Sequence, residues 1–436
     1  MSSTAPAPSA PSRLNRRVVA ISLGAALGGF LFGFDSSVIN GAVDAIQGEW
    51  ELSDAFTGFA VAAALLGCAV GAWFAGTLAN RYGRIRVMVL ASIFFLASAL
   101  GSAFAFGIWD LVLWRVLGGL AVGAASVIAP AYIAEVSPSK YRGRLGSLQQ
   151  LAIVLGIFTA LLSDQLFALT AGGASEELWF GLDAWRWMFL AEAVPAVIYG
   201  LAALRLPESP RYLVAKHRSD EAAEVLRLFT GVQDVDGKIA EIETSIGREE
   251  LHSLADLRGH ALGLKPIVWT GILLSVFQQF VGINVIFYYS TTLWQAVGFE
   301  EDQAFLTSTI TSITNIAVTI VAIILVDRIG RRLLLLIGSS GMTLSLGLMA
   351  IAFSQAITDA EGEVTGFTGE WGTVAVVAAN GFVVFFGATW GPVVWVLLGE
   401  MFPNRIRAAA LGVGAAANWL ANFAVTLTFP PMLSTF

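Results

Sequence analysis

Between Phe277 and Tyr289 the chain reads FQQFVGINVIFYY, which sets three amides, Gln278, Gln279 and Asn284, inside the apolar run from Pro266 to Leu293. An amide carried into an apolar medium without a partner costs roughly 2–7 kcal/mol. Three together point to a water-filled cavity or a polar, uncharged ligand. The competing reading, hydrogen-bonding glue between membrane helices, accounts for one amide more readily than for a cluster. At about 100° per residue the three do not share one narrow face of a straight helix. Gly282, between them, lets such a helix bend or unwind and bring them together.

The second chemical signal is charge in apolar surroundings. Asp35 and Arg115 both fall inside hydrophobic runs, at similar depths, so they can pair. An ionisable side chain within a membrane costs at least ~2.5–3.5 kcal/mol on insertion scales and marks a functional site by default. A static structural ion pair is the alternative. Glu192 is a further membrane acid, either an accessory proton site or a hydrogen-bonded structural group near Arg186.

Composition fixes what must hold these residues. Of 436 residues 56% are hydrophobic and 13% charged, against about 25% charged in soluble domains. The mean hydropathy is +0.73, so the chain is a multi-pass membrane protein whose solvent is the lipid bilayer. The net charge of −7 says little about partners, because the charges are segregated by loop. One cysteine, Cys68, excludes a disulfide framework and a thiolate metal site. His217, His252 and His260 all lie in one polar stretch, away from any membrane-buried metal or histidine relay. The first dozen residues read as a disordered tail, and no cleavable signal peptide is evident, because the first apolar run is long and follows Arg16 and Arg17.

A spanning helix needs about 20 mainly apolar residues. That rule gives helices near 17–41, 56–79, 86–106, 109–135, 144–168 and 184–205, then 266–293, 303–326, 333–356, 374–401 and 407–430. Of the 25 Lys and Arg residues, all but Arg115 and Arg186 fall in the N-terminal tail, in alternate loops near 80–86, 140–144, 328–332 and 405–407, or in the stretch 205–265. The opposite loops carry Asp44, Glu49, Glu51, Asp54, Asp164, Glu176, Glu177, Glu300, Glu301, Asp302, Asp359, Glu361 and Glu363. The positive-inside rule therefore places the N-terminus in the cytoplasm of a cell whose plasma or inner membrane holds the chain.

The domains expected are a tail over 1–16, a bundle over 17–205, a soluble linker over 206–265 and a second bundle over 266–436. In the linker, Ser219-Asp220-Glu221 is a helix start with acids in its first turn. Further short helices are expected around 236–246 and 248–257. At this size the linker is a bridge between bundles rather than an enzymatic domain.

Two loop patterns occur twice. Asn80-Arg81-Tyr82-Gly83-Arg84 follows the second helix and Asp327-Arg328-Ile329-Gly330-Arg331-Arg332 the eighth; Glu135-x6-Arg142 follows the fourth and Glu400-x6-Arg407 the tenth. Each pair is offset by six helices, so the halves are parallel repeats. Such a repeat wants an even number, and a twelfth helix is expected after Pro430-Pro431, beyond what the sequence contains. The fold class is thus all-α membrane protein, two parallel six-helix halves with a cytoplasmic helical linker.

With these motifs in place the chain resembles the sugar porters of the major facilitator superfamily, especially bacterial glucose and xylose permeases. The resemblance runs from Gly28 to Pro431 and rests on GFLFGFDSSVING (29–41), GTLANRYGR (76–84), PAYIAEVSPSKYRGRLGSLQQLAIVLG (130–156), PESPRYL (207–213), QQFVGINVIFYY (278–289), DRIGRR (327–332) and WGPVVWVLLGEMFPNRIRAAALG (390–412). Asn80 stands where the wider superfamily has Asp, as is usual in sugar porters, and Ile85 where a second arginine is common. The resemblance implies a monosaccharide site between the halves, made by Gln150, Gln278, Gln279, Asn284, Tyr288, Asn315, Trp395 and Asn418. Chemistry agrees: amides meet sugar hydroxyls as donor and acceptor without adding charge, and an indole offers an apolar face and an N–H. Ordinary packing is the alternative for Trp395.

In the proton-coupled porters that the chain resembles, the aspartate matching Asp35 carries the proton, and passive facilitators lack it. Symport of a proton with glucose, xylose or a similar sugar follows as the expectation, with Asp35, Arg115 and Glu192 as the coupling group. Arg81, Arg84, Glu135, Arg142, Arg328, Arg331, Glu400 and Arg407 read as a cytoplasmic gate of ion pairs that break as the inner side opens. Topology signals alone explain their sign but not the repeated spacing. Gly391-Pro392 and Gly282 are flexing points, and Gly29/Gly33, Gly67/Gly71 and Gly119/Gly123 mark close helix packing. The other readings are a passive uniporter, against which Asp35 argues, and a transporter-like sugar sensor, which wants a long signalling tail. A membrane enzyme lacks any nucleophile–histidine pair, metal cluster or phosphate loop. The expected protein is a monomer without cofactor, metal or nucleic acid.

Overall fold

The structure, a computed structural model, describes residues 16–138, 141–230, 234–248, 257–358, 364–403 and 406–435. The side chains at 230, 247–248, 261, 325–328, 358, 364–366, 399, 407–408 and 434–435 also lie outside that description. The expected tail, most of the helix expected at 248–257, and the acids Asp359, Glu361 and Glu363 therefore fall outside it.

Eleven helices among the described residues are long and apolar enough to cross a bilayer. Numbered in chain order, spans 1 to 6 are Arg16–Gly41, Asp54–Tyr82, Arg84–Ala103, Ile108–Val136, Arg142–Ala171 and Ala184–Ala203. Spans 7 to 11 are Pro266–Tyr288, Glu301–Ile324, Arg331–Phe353, Trp371–Leu398 and Ala409–Leu433. Asp54, Asp110, Glu301 and Asp302 sit in the first turns of spans 2, 4 and 8, where a carboxylate meets the positive end of the helix dipole. Asp54, Glu301 and Asp302 on the acidic face therefore also favour the helix starts they lie in.

Within the first half, glycines let backbones touch. A Cβ on Gly119 would come 1.9 Å from the Ala64 carbonyl oxygen, and one on Gly67 2.2 Å from that of Val116, so spans 2 and 4 lie backbone against backbone. Gly33 and Gly156 do the same for spans 1 and 5. Between the halves, span 11 runs along span 2 and span 8 along span 5.

Spans 7 and 10 are broken. Span 7 stops at Phe280, turns at Gly282 with φ +84°, and resumes as Ile283–Tyr288 and Ser290–Ala296. A left-handed backbone is nearly free only for glycine, which is the unwinding that the sequence pattern anticipates. Span 10 runs as an α-helix to Phe385, widens to a π-turn over Phe386–Trp390 and restarts at Gly391 with Pro392 in its first turn. A proline ring cannot accept the preceding helical turn, so the helix changes register there.

Three details depart from expectation. Asp164 is not in a loop: it lies inside span 5 and is fully buried. The helix of span 11 does not stop at the prolines but continues through Pro430 and Pro431 to Thr435. Two loops on the acidic face form short hairpins, Glu177–Trp179 with Leu182–Asp183 and Ala356–Thr358 with Val364–Phe367, and a further short strand, Arg258–Ala261, precedes span 7.

The linker begins on the first half. Tyr132 donates to the Pro207 carbonyl (2.7 Å), and Glu208 accepts from the backbone N–H groups of Arg84 (3.0 Å) and Ile85 (3.3 Å). Helices follow at Pro210–Ala215, Ser219–Val225 and Val235–Arg248. The second starts at the serine expected from the sequence.

Candidate functional site

The break in span 7 brings its amides to span 11. Asn284 Nδ2 donates to Gln279 Oε1 (2.5 Å), Gln279 Nε2 to Asn418 Oδ1 (3.3 Å), and Asn418 Nδ2 to Gln278 Oε1 (2.9 Å). Gln278 Nε2 then reaches the carbonyls of Trp390 (2.9 Å) and Gly391 (3.2 Å) beside the π-turn of span 10. Four of the expected residues thus form one hydrogen-bonded string. The pairing removes the desolvation cost of each amide, and every link is neutral, so hydroxyl groups can replace it at little net energy.

The other expected residues are not in the string. Asn315 is buried on span 8, its side-chain oxygen facing Gly387 in the π-turn. Gln150 is exposed on span 5, and Trp395 is 42% exposed on span 10. Their neighbours behave differently. Gln149 is buried against Gly29, with neither amide atom bonded. Trp390 donates its indole N–H to the Leu335 carbonyl (3.1 Å) and Ser339 Oγ (3.0 Å), fixing the turn that Gln278 grips. Adjacent glutamines and paired tryptophans were visible in the sequence; which member turns inward depends on helix phase.

Asp35 and Arg115 do meet. Arg115 Nη1 donates to Asp35 Oδ1 (3.2 Å) and to its backbone carbonyl (3.0 Å), with both side chains almost wholly buried. Room for the carboxylate comes from Gly118, where a Cβ would lie 2.8 Å from Asp35 Oδ1 and 2.5 Å from Ser98 Oγ. Glu192 is fully buried beside this pair, its carboxyl against that of Asp35. The alternative partner for Glu192 is otherwise engaged: Arg186 binds Glu49 (2.6 Å) and the carbonyls of Ala103 and Ala105. Tyr288 belongs with the charges rather than with the string. It lines, with Asp35, Ser36 and Arg115, a cavity of about 10 Å³, roughly the space one water needs.

On the basic face the sequence repeat becomes a geometric one. Arg84 grips Glu135 with two hydrogen bonds (3.0 and 2.9 Å), and Arg331 binds Glu400 (2.8 Å). Each arginine follows a glycine of positive φ, Gly83 or Gly330. Both pairs lie within one half, so they brace helices of the same bundle rather than cross between bundles. The Arg81 guanidinium stacks over Tyr82, and Arg142 is exposed. The side chains of Arg328 and Arg407 lie outside the described residues.

The halves are fastened at the opposite, acidic face, which the sequence reading missed. Asn40 Nδ2 donates to Ser290 Oγ (2.7 Å) and the Phe287 carbonyl (3.1 Å), while Thr291 donates back to Asn40. Asp44 accepts from Thr292 (2.8 Å) and Gln295 (3.1 Å). Glu301 accepts from the Ala174 N–H (2.9 Å), and Thr309 donates to Gln165 (2.8 Å). The only sequence signal was a polar run, STT, directly after the apolar one.

Repeated halves, broken helices lined with uncharged amides and one buried ion pair define a membrane carrier of the major facilitator fold. The profile described as "Sugar (and other) transporter" matches residues 21–436, and the chain belongs to that family, whose members are transporters and not enzymes. It is 55% identical to a glucose transport protein of Synechocystis over 96% of this chain and 89% of that protein. It is 35% identical to the D-xylose-proton symporter of Escherichia coli K12, covering 95% of this chain and 86% of the symporter. Among solved structures it is similar to the partially occluded inward open conformation of the E. coli xylose transporter XylE. That match has a TM-score of 0.80 at 33% identity over 95% of this chain and 92% of the other. The inward open conformation of the same transporter gives 0.79 at 34% identity, over 95% and 90%.

Proposed function

We propose that the chain is a proton-coupled monosaccharide carrier that works by alternating access, with glucose, xylose or a close relative as cargo. The observation that carries this reading is the Asp35–Arg115 pair, sealed in the first half next to a water-sized cavity that Tyr288 of span 7 completes. Span 7 also carries the amides proposed to hold the sugar, with Gln150, Asn315 and Trp395 closing round the cargo once it enters. Protonating Asp35 removes one charge of the pair and frees Arg115, which shifts the balance between the two facing states. Glu192 is a second acid within reach of that exchange. Glucose stands first among cargoes because the 55%-identical relative is a glucose transport protein.

The excess of Lys and Arg on the basic face supports a cytoplasmic N-terminus in the cell membrane. The fastened acidic face then faces outward, so the conformation is one closed to the outside. The Arg84–Glu135 and Arg331–Glu400 pairs serve as braces that set how each bundle presents its inner gate. The carrier acts as a monomer, because each half supplies part of the site. Counterflow of labelled glucose and xylose in proteoliposomes, with and without a proton gradient, tests the reading. Saturable counterflow together with gradient-driven accumulation is expected; counterflow that no proton gradient turns into accumulation would leave a uniporter.

A further inference from the structure

Beyond the buried ion pair, the acidic face carries a carboxyl that the transport reading leaves unused. Asp44 sits in the short helix Val43–Glu49, just past the end of span 1. Its two oxygens take hydrogen bonds from Thr292 and Gln295 of the other half, and the fastened face leaves it half-buried between the halves. It also lines a cavity of about 140 Å³ between the halves, with Ala174, Ser175, Gln295 and Glu301 among its walls. That volume holds a few waters, which gives a proton a path to and from the carboxyl.

Among the described residues the charged groups around Asp44 give it no counter-ion. Across the interface the facing acid is Glu301, tied to the Ala174 N–H. On its own helix Glu49 is occupied by Arg186, and at the start of span 2 Asp54 accepts from Gln47. Behind it, on span 5, the buried Asp164 packs on Gly41. The Glu301 carboxylate raises the cost of a negative charge on Asp44, and among the described residues the nearby Arg186 is taken by Glu49.

We propose that Asp44 is a second proton-binding site, at the outer gate and separate from the Asp35–Arg115 pair. It takes up a proton as spans 1 and 7 fasten together and returns it to outer water when they part. The inference uses the orientation given above but not the identity of the cargo. In the fastened state burial pushes the Asp44 carboxyl from 3.8 up to about 6; the Glu301 charge adds to the rise, and the Thr292 and Gln295 bonds oppose it. A group whose value is higher in one state favours that state as protons become abundant. Acid therefore closes the gate, and the advantage fades as pH rises through 6. With 3.8 for the parted state, the closed-to-open ratio rises about tenfold between pH 7 and pH 5.

The test reads gate distance without sugar. In a Cys68→Ala background, Gly48→Cys and Gln303→Cys place spin labels on opposite sides of the gate. A Cβ added at Gly48 would meet no atom within 4 Å, and Gln303 is exposed. Double electron–electron resonance in lipid nanodiscs at pH 7 and pH 5 should show the short-distance population gaining about tenfold on the long one. Asp44→Asn should flatten that response, and Asp44→Glu should keep it. Glu301→Gln should retain it with a smaller shift. An unchanged ratio between the two pH values, or an undiminished response in Asp44→Asn, would overturn the proposal. Sugar counterflow by the same labelled protein reports separately on the transport reading, so failure of one is distinguishable from failure of the other.

Discussion

The two halves bury polar groups in opposite ways. The first half interrupts only span 6, at Glu192, and tightens the end of span 1 to a 3-10 turn; it packs its helices through glycines at backbone contact and places charge inside: Asp35, Arg115, Asp164 and Glu192 are all buried there. The second half interrupts spans 7 and 10 and satisfies the resulting irregularities with neutral amides. A rigid bundle can hold an ion pair at fixed geometry, which a buried charge demands. A jointed bundle can re-pair amides cheaply, which an exchangeable ligand demands. Under the proposed function this is a division of labour, proton in one half and most sugar contacts in the other.

The harshest way to break the contrast is to add a methyl group to each half. Gly119→Ala puts a Cβ 1.9 Å from the Ala64 carbonyl oxygen, so spans 2 and 4 must separate and folded protein should be lost from size-exclusion profiles. Gly282→Ala meets no atom within 4 Å and bears only a left-handed φ of +84°, costing about 1–2 kcal/mol. Its protein should remain monodisperse. Equal behaviour of the two variants would erase the distinction between rigid and jointed halves.

Function should divide along the same line. Asp35→Asn is expected to reduce sugar accumulation under a proton gradient to the equilibrium ratio while leaving counterflow, measured in the same vesicles. Asn418→Ala removes the central link between Gln278 and Gln279. It should weaken sugar binding about tenfold, or about 1.4 kcal/mol, with the accumulation ratio at saturating sugar unchanged. An Asp35 variant that lost counterflow as well would place the aspartate in sugar binding.

The smallest effect separates the two braces. Glu135 is 14% exposed and grips Arg84 twice, whereas Glu400 is 53% exposed and holds Arg331 once. Glu135→Gln should cost about 1–3 kcal/mol, visible as a lower unfolding midpoint in detergent. Glu400→Gln should cost under about 1 kcal/mol.

Much of this was legible in the residues. Spans, the repeat and the break at Gly282 follow from apolar length, repeated loop motifs and a glycine among amides. The Asp35–Arg115 pair followed from matching depth. What escaped depends on rotation about a helix axis and on contacts between distant segments. Gln149 and Gln150 differ by one residue, yet one is buried and the other exposed. Asp164 looked like a loop acid because it lies near the end of its apolar run, where a sliding count of hydrophobic residues cannot tell a buried turn from a wet one. The fastening through Asn40 joins residues about 250 positions apart, which no local pattern encodes.

The grip of Gln278 on Trp390 and Gly391 has one more consequence. Trp390 closes the π-turn that divides span 10 and Gly391 opens the helix beyond it, while the Oε1 of the same amide is held by Asn418 in the string. A guest that draws Gln278 away unclips the lower segment of span 10 from its anchor. Under the proposed function occupancy would become slack at a joint, and a molecule too small to reach that glutamine would dock without loosening anything.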